Sequence, residues 1–466
     1  RVLKERMNEI ARQVEQEESE GDLPRVNRYR HLAELGDCYH VALILPDGEF
    51  VTCSTWSWAT YSFRGGQKSP PPLSAHVERD WFSHEFLLEY YQAVGGTEEA
   101  IEETVIELMA QGREWENLAP ILLGKESGID RILPVETVKR TPEYPPSGEL
   151  KRFEGNPVLK PVPEHPWESK YVLNAGTIRL NGRVYLAYRA FGEDKISRIG
   201  LAVSDDGFVF NERLDEPIFQ PVNSSEKMGC EDPRLTLIGD RIYMAYTAYD
   251  GLVAQIALAS IKLIDFMNYR WKGWQRHGLV FPGYDDKDAA LFPERINGKF
   301  ALLHRVDPHM WITFSRHMRC PWPRREHRIL SGTTTGLLWD GRKIGAGAQP
   351  LKTKYGWLLI THGVDYAHVY RLGVMLLDLA DPSKLIFRSP NYVLEPSEKW
   401  ELGVDDESWV PNVVFTCGAV PKRDEHIFFL DENDELLVYY GASDTVISLA
   451  TAKVGDLIPE AFRARG

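Results

Sequence analysis

The residues best suited to chemistry in this chain are charged and stand just before or just after short strand-like runs. In Gly229-Cys230-Glu231-Asp232-Pro233-Arg234, two carboxylates, a proline and an arginine precede the apolar run 235–238. Asp-Pro is a common turn starter, so one such cluster alone reads equally well as a solvated loop. Comparable polar heads recur at Asn174, Asp288, Gly345 and Asn412. Charged residues also recur where the following hairpins end, at Arg189, His304-Arg305, His362 and Asp444, with Lys343 just ahead of the fourth head. The set holds few carboxylates and several cations. Glycoside hydrolysis ordinarily needs two acids, one to protonate the leaving oxygen and one to activate water or attack. Here Asp232 is the candidate acid, while Arg305, Lys343 and His362 suit a bound anion through charge-assisted hydrogen bonds. A phosphate dianion is itself a nucleophile and would make a second carboxylate unnecessary. Structural ion pairs at the tops of sheets are the alternative reading of the same residues.

The elements that position these residues repeat. Hairpin patterns run over 177–188 around Asn181-Gly182, 235–246 around Gly239-Asp240, 292–303 around Asn297-Gly298 and 350–361 around Tyr355-Gly356. A fifth, over 413–440, carries a longer insertion, and most of the five are followed by another alternating strand. The heads at Asn174, Asp232, Asp288, Gly345 and Asn412 are separated by 58, 56, 57 and 67 residues, a period that a long β-sandwich does not predict. Each unit supplies three or four antiparallel strands that cannot bury both faces alone, and radial packing of five such sheets solves this. The expectation is a five-bladed β-propeller whose inner strands converge, so that heads from different blades meet in one funnel.

The 466 residues suffice for one large domain and a smaller one. A formal net charge of -14 argues against a general nucleic-acid or anionic-membrane binder, without forbidding a local cationic pocket. No apolar run approaches the roughly 20 residues that span a bilayer. Five scattered cysteines without paired spacing point to reduced thiols in a cytoplasmic compartment and give no zinc site. No signal peptide is visible, so the Asn223-Ser224-Ser225 sequon carries no weight. Residues 1–138 read as a small α+β domain: helical patterns over 1–22 and 77–112, a hairpin over 40–52 and an aromatic stretch over 55–63. A Pro- and Gly-rich linker over 139–151, the propeller over 152–456 and a tail over 457–466 complete the expected organisation.

Asn174-Ala175-Gly176, Glu231-Asp232-Pro233-Arg234, Lys287-Asp288, His304-Arg305, Lys343-Ile344-Gly345, His362-Gly363-Val364 and Tyr439-Tyr440-Gly441-Ala442 resemble glycoside hydrolase family 130 over about 152–455. That family holds β-mannoside phosphorylases and some β-1,2-mannosidases on a five-bladed propeller. The resemblance implies an inverting reaction in which Asp232 is the general acid, its proton passing through the mannose 3-hydroxyl to the glycosidic oxygen. It further implies phosphate as cosubstrate, bound by Arg305, Lys343, His362 and Tyr370 and giving α-mannose 1-phosphate. Asn174, Arg189, Asp288 and Asp444 would hold the sugar or orient the acid. No cofactor or metal is expected beyond phosphate; the partners are a β-mannoside and phosphate, with a homo-oligomer open. Two departures stand out: Val306-Asp307-Pro308 where the family often has proline directly after His-Arg, and Gln349 where proline is common. Asp307, or the acidic run Asp405-Asp406-Glu407, is the candidate base of a rival hydrolase. A non-catalytic sugar-binding propeller is the third reading.

Overall fold

The computed structural model describes residues 41–44, 50–53 and 145–464, apart from 324–326, 334–338, 366, 405–407 and 424–428. The chain divides into two compact units, Arg1–Glu143 and Tyr144–Gly466. In the first, β1 (Val41–Ile44) pairs antiparallel with β2 (Phe50–Cys53), which is the hairpin expected there. The helical patterns over 1–22 and 77–112 and the aromatic stretch over 55–63 lie outside the described residues.

In the second unit, β3 (Lys151–Arg152) precedes five antiparallel sheets. The first contains β4 (Tyr171–Leu180), β5 (Arg183–Phe191), β6 (Arg198–Ser204) and β7 (Glu212–Arg213). The second contains β8 (Gly229–Ile238), β9 (Arg241–Tyr249), β10 (Ala254–Lys262) and β11 (Gln275–Leu279). The third contains β12 (Lys287–Leu291), β13 (Phe300–Val306), β14 (His309–Ser315) and β15 (Arg328–Ser331). In the fourth, β16 (Lys343–Ala346) and β17 (Leu351–Thr353) both pair with β18 (Gly356–Val364), followed by β19 (Tyr370–Leu377) and β20 (Leu385–Arg388). The fifth contains β21 (Val414–Pro421), β22 (Glu435–Ala442) and β23 (Val446–Lys453), and its outer strand is β3. The innermost strands adjoin, β4 beside β8, β8 beside β12, β12 beside β16 and β21 beside β4, and the circle is completed where β21 meets β18 and β19 of the fourth sheet. This is the five-bladed propeller arrangement. Its ring closes by pairing Lys151 with Thr451, so an early strand completes the last sheet.

Local chemistry explains the hairpins. Asn181-Gly182 and Asn297-Gly298 both take positive φ at both residues (49° and 86°, 49° and 78°), as tight two-residue hairpin turns require. Apolar side chains from facing sheets fill the spaces between blades. One such layer joins Leu358, Ile360 and Val374 of the fourth sheet to Val438, Tyr440 and Ala450 of the fifth. Leu150, Leu457, Ile458 and Phe462 belong to the same layer. Ser147 Oγ donates to the Leu457 carbonyl at 2.7 Å and the Gly148 N–H to the Asp456 carbonyl at 2.8 Å. The end of the stretch read as a linker and the start of the stretch read as a tail are therefore packed against each other.

Each blade also buries one carboxylate ahead of its inner strand: Glu168, Glu226, Asp286, Asp340 and Glu401, all at most 1% exposed. In three blades a tyrosine of the second strand donates to it: Tyr188 to Glu168 (2.7 Å), Tyr246 to Glu226 (2.6 Å) and Tyr440 to Glu401 (2.7 Å). In four blades an arginine of the outer strand pairs with it: Arg213, Arg276, Arg388 and Arg152. The third blade substitutes histidines, with His304 Nδ1 2.8 Å from Asp286 and His327 edge-on against His304. A buried charge is tolerated only when paired and hydrogen-bonded, so the acids of the first, second and fifth blades tie second strand, outer strand and preceding segment together, Asp286 ties in the second strand and Asp340 the outer one.

The clamp at the ring closure is open to test. Burial alone would raise the Glu401 pKa, but Arg152, the Ser397 and Glu398 N–H groups and the Tyr440 hydroxyl hold it below the usual carboxylate range. Arg152→Ala strands this carboxylate and is expected to lower stability by about 3 kcal/mol in urea unfolding. Because the folded pKa is depressed, Glu401's contribution is present above the unfolded pKa near 4.3 and is lost as pH falls through the folded one. The parent–variant gap should therefore narrow in acid; a gap that is flat from pH 7 to pH 3 contradicts the clamp.

Candidate functional site

Three inner strands carry the same irregularity. Registers shift by one residue between Leu173 and Gly176, between Glu231 and Arg234, and between Lys287 and Ala290. Each shift is a β-bulge, and in each the first bulged residue is left-handed: Asn174 (φ 49°), Asp232 (φ 50°) and Asp288 (φ 58°). Asn and Asp tolerate that conformation better than other side chains, which explains why amides and carboxylates head these strands. The last two blades differ. Gly345 lies in an unbulged stretch of β16, and the inner strand is broken after Ala346. In the fifth blade the shift falls between Thr416 and Gly418, so Asn412 is not the head that its spacing suggested. Asn412 sits before β21 and accepts the Tyr370 N–H at 3.0 Å.

The heads converge into two charge groups. In the first, Asp232 Oδ1 accepts from Asn174 Nδ2 at 2.8 Å and from Arg189 Nη1 at 3.3 Å. Arg189 also donates to Glu231 (2.7 Å) and Ser197 (2.9 Å), and Lys287 Nζ lies 3.4 Å from Glu231. In the second, Asp288 Oδ2 accepts from Arg305 Nε at 2.5 Å and lies 3.3 Å from His362 Nε2. His362 stacks on Tyr370 (21° between planes), and Lys343 Nζ lies 5.1 Å from the Tyr370 ring centre. Arg234 bridges the two groups. It donates to the Asp232 carbonyl (3.2 Å) and to Asp288 Oδ1 (3.4 Å), and is fixed by the Ala346 and Gly347 carbonyls (2.9 and 2.7 Å).

Glycines permit this crowding. A Cβ on Gly345 would stand 2.5 Å from His362 Cε1 and 2.6 Å from Asp288 Oδ2. One on Gly441 would stand 2.4 Å from Asn174 Oδ1. All five blades therefore touch the site, three with polar heads and two partly by leaving room.

The electrostatics separate the carboxylates. Burial would raise the Asp232 pKa, but Arg189, Lys287, Asn174 and Arg234 outweigh it and hold the carboxyl below its ordinary value. Burial is likewise overcome at Asp288, which Arg305, His362 and Arg234 hold well below. At Asp444 burial prevails over Arg189, with Asp232 adding to it, and the carboxyl is pushed up to about 7. Burial lowers the His362 pKa against the opposing pull of Asp288. Arg189 and Arg305 are raised by their carboxylate partners against the cost of burial.

The sequence-selected residues are thus brought together, with one change of place. The resemblance has Asp288 hold the sugar or orient the acid; in the fold it is 1% exposed and lies behind Arg305, His362 and Arg234. Its chemistry is to fix cations. Asp307, the candidate base of a hydrolase, is paired with Arg305. Asp405, Asp406 and Glu407 lie outside the described residues. Lys287, Ser197 and Phe415, whose ring lies 4.5 Å from His362, were not singled out as site residues. Lys287 opens one of the motifs that carry the family resemblance, Phe415 falls within the fifth strand pattern, and Ser197 has no sequence signal of its own. Among the described residues no group of three His, Cys, Asp or Glu could hold a metal.

Two measurements probe this geometry. Gly345→Ala should displace His362 and Asp288 and lower the Tm by several degrees in thermal unfolding; an unchanged Tm would contradict the packing. Asp444 has a raised folded pKa, so its charged form costs stability above about pH 7 and nothing below the unfolded value near 3.9. Asp444→Asn should therefore gain on the order of 1–3 kcal/mol over the parent at pH 8, with the gain vanishing near pH 4 in thermal unfolding.

Residues 136–460 match the model of a family described as beta-1,4-mannooligosaccharide phosphorylase, glycoside hydrolase family 130. A 1,2-beta-oligomannan phosphorylase of Thermoanaerobacter sp. (strain X514) is 41% identical over 321 residues, covering 66% of this chain and 99% of its own. A beta-1,2-mannobiose phosphorylase of the same organism is 40% identical over 322 residues, covering 65% and 96%. The solved beta-1,2-mannobiose phosphorylase of Listeria innocua, in complex with beta-1,2-mannobiose, is similar with TM-score 0.56 and 26% identity, covering 66% of this chain and 98% of its own.

Proposed function

Because the chain belongs to glycoside hydrolase family 130, we propose that it is a mannoside phosphorylase that cleaves β-linked manno-oligosaccharides, β-1,2-linked ones first, with inversion. The observation that carries the reading is the juxtaposition of one Asp232 group with a separate cationic wall. Arg305, Lys343 and His362, each at most 5% exposed, surround Asp288 and Tyr370 in that wall. Phosphate binds there and attacks C1 of the mannose. The C1–O bond to the acceptor sugar breaks, the C1–O–P bond forms, and the proton leaving Asp232 reaches the departing oxygen through the mannose 3-hydroxyl. The products are α-mannose 1-phosphate and the shortened acceptor. Asn174, Arg189 and Asp444 hold the mannose against Asp232.

Asp232 is ionised in the ligand-free protein, so it gains its proton as the substrates bind. Mannose hydroxyls compete with Asp232 for Asn174 and Arg189, and the incoming phosphate adds negative charge on the far side of Arg234. Both changes raise the pKa of the acid. The relatives' identity of 40% and more supports the β-1,2 linkage. The pairing of Asp307 with Arg305 disfavours hydrolysis, because that carboxylate is engaged.

The test is to incubate the protein with β-1,2- and β-1,4-mannobiose, with and without phosphate, and follow anomeric protons by NMR. Phosphate-dependent release of α-mannose 1-phosphate is expected; free mannose without phosphate would mean a hydrolase, and no turnover a binding protein. Asp232→Asn should lower kcat at least 10³-fold with an unchanged Tm, and near-normal turnover would remove it as the acid. Lys343→Ala should raise the KM for phosphate at least tenfold more than the KM for mannoside; equal rises would take Lys343 out of the phosphate site.

A further inference from the structure

Trp409 is the one tryptophan among the large apolar side chains left exposed in the described residues, at 44%. It is a rigid surface. Tyr171, which opens β4, and Phe191, which ends β5, are paired across the sheet and brace the indole at 5.3 and 5.4 Å between ring centres, at 58° and 79°. Its backbone is tied to the turn that carries Asp444: the Trp409 N–H donates to Thr445 Oγ1 and the Val410 N–H to the Ser443 carbonyl, both at 3.2 Å. The other face of the brace meets the acid's partner, since the Arg189 guanidinium lies 5.6 Å from the Phe191 ring centre. Lys195, on an exposed turn, reaches over the same indole at 5.8 Å. The indole thus stands at the rim, one ring beyond the residues proposed to hold the mannose, while Asp232 lies buried at 6% exposure below.

We propose that Trp409 is the stacking platform for the sugar on the acceptor side of the cleaved bond, with Lys195 donating to that sugar's hydroxyls. This rests on the phosphorolytic reading above. The cleaved mannose occupies the buried end of the funnel, so the next unit of the chain projects outward to the rim. A pyranose presents an apolar C–H face, and a braced aromatic ring meets it without losing rotamer freedom on binding. The amphipathic indole then explains its own exposure: its apolar surface is covered only when an oligosaccharide is bound.

The test uses the reverse reaction, with α-mannose 1-phosphate as donor and mannose or β-1,2-mannobiose as acceptor, on the parent, Trp409→Ala and Trp409→Phe. The alanine variant should raise the acceptor KM at least tenfold while the donor KM stays within twofold, and the phenylalanine variant should restore most of the loss. An acceptor KM within twofold of the parent overturns the proposal, as does an equal rise in donor KM. A fall of several degrees in Tm with the acceptor KM unchanged overturns it too, by making the ring a packing group. Should the parent turn over no mannoside at all, the reaction assignment fails separately. Calorimetric titration with β-1,2-mannotriose then still decides the platform: binding weakened at least tenfold in Trp409→Ala supports it, and equal binding overturns it.

Discussion

The buried carboxylate at the base of each blade is the interaction on which the rest of this structure depends. Glu168, Glu226, Asp286, Asp340 and Glu401 cannot be left unpaired in a low-dielectric interior. Each therefore draws a donor or cation from a strand that is distant in sequence: Tyr188, Tyr246, His304 and Tyr440 from second strands, or Arg213, Arg276, Arg388 and Arg152 from outer ones. Hydrophobic packing between sheets is non-directional, whereas these clamps fix how far each sheet reaches and how its loops enter the funnel. Tyr188 and His304 show the coupling, because the next residue along each strand is a site cation, Arg189 or Arg305. The strand that anchors the acid on one face presents guanidinium on the other.

Above that base, the site keeps charges of opposite sign in register rather than neutralising them evenly. Asp232 and Asp288 are both ionised, but for different partners, and Arg234 stands between them with its donors occupied by four acceptors. Two nearby anions and an incoming phosphate would repel one another without such an insulator. In the proposed reaction this arrangement lets phosphate approach while the acid remains poised to take up a proton. The left-handed bulges are the backbone device that turns Asn174, Asp232 and Asp288 out of their strands.

Much of this was legible in the sequence because it is periodic. Asn-Gly and Gly-Asp turns between alternating runs announced the hairpins, and equal spacing of polar heads announced the ring. The family motifs pick out Asp232, Arg305, Lys343 and His362, which the fold brings into two neighbouring charge groups. What stayed hidden depends on which way a side chain turns. Asp288 looks like another polar head, and only the fold shows it facing cations. Asn412 follows the spacing, yet the irregularity that defines a head falls at Cys417 because the loop into the fifth blade is longer. The clamp acids recur at close to the blade period, but the residues around them share no common motif, so their burial leaves no local mark.

The pairing of Lys151 with Thr451 also has a bearing on how the molecule comes into being. The strand that finishes the fifth sheet leaves the ribosome before any blade exists, whereas the edge it must cover is made last. Until then Arg152 has neither Glu401 nor Tyr440, and the first and last blades have no shared boundary. Individual sheets are local and can assemble during synthesis, but closure is among the most non-local contacts in the fold and the loop-closure entropy falls on that step. The ring is therefore expected to mature only once the fifth sheet has left the ribosome. During that interval the open edges of its terminal blades are the surfaces most exposed to wrong partners.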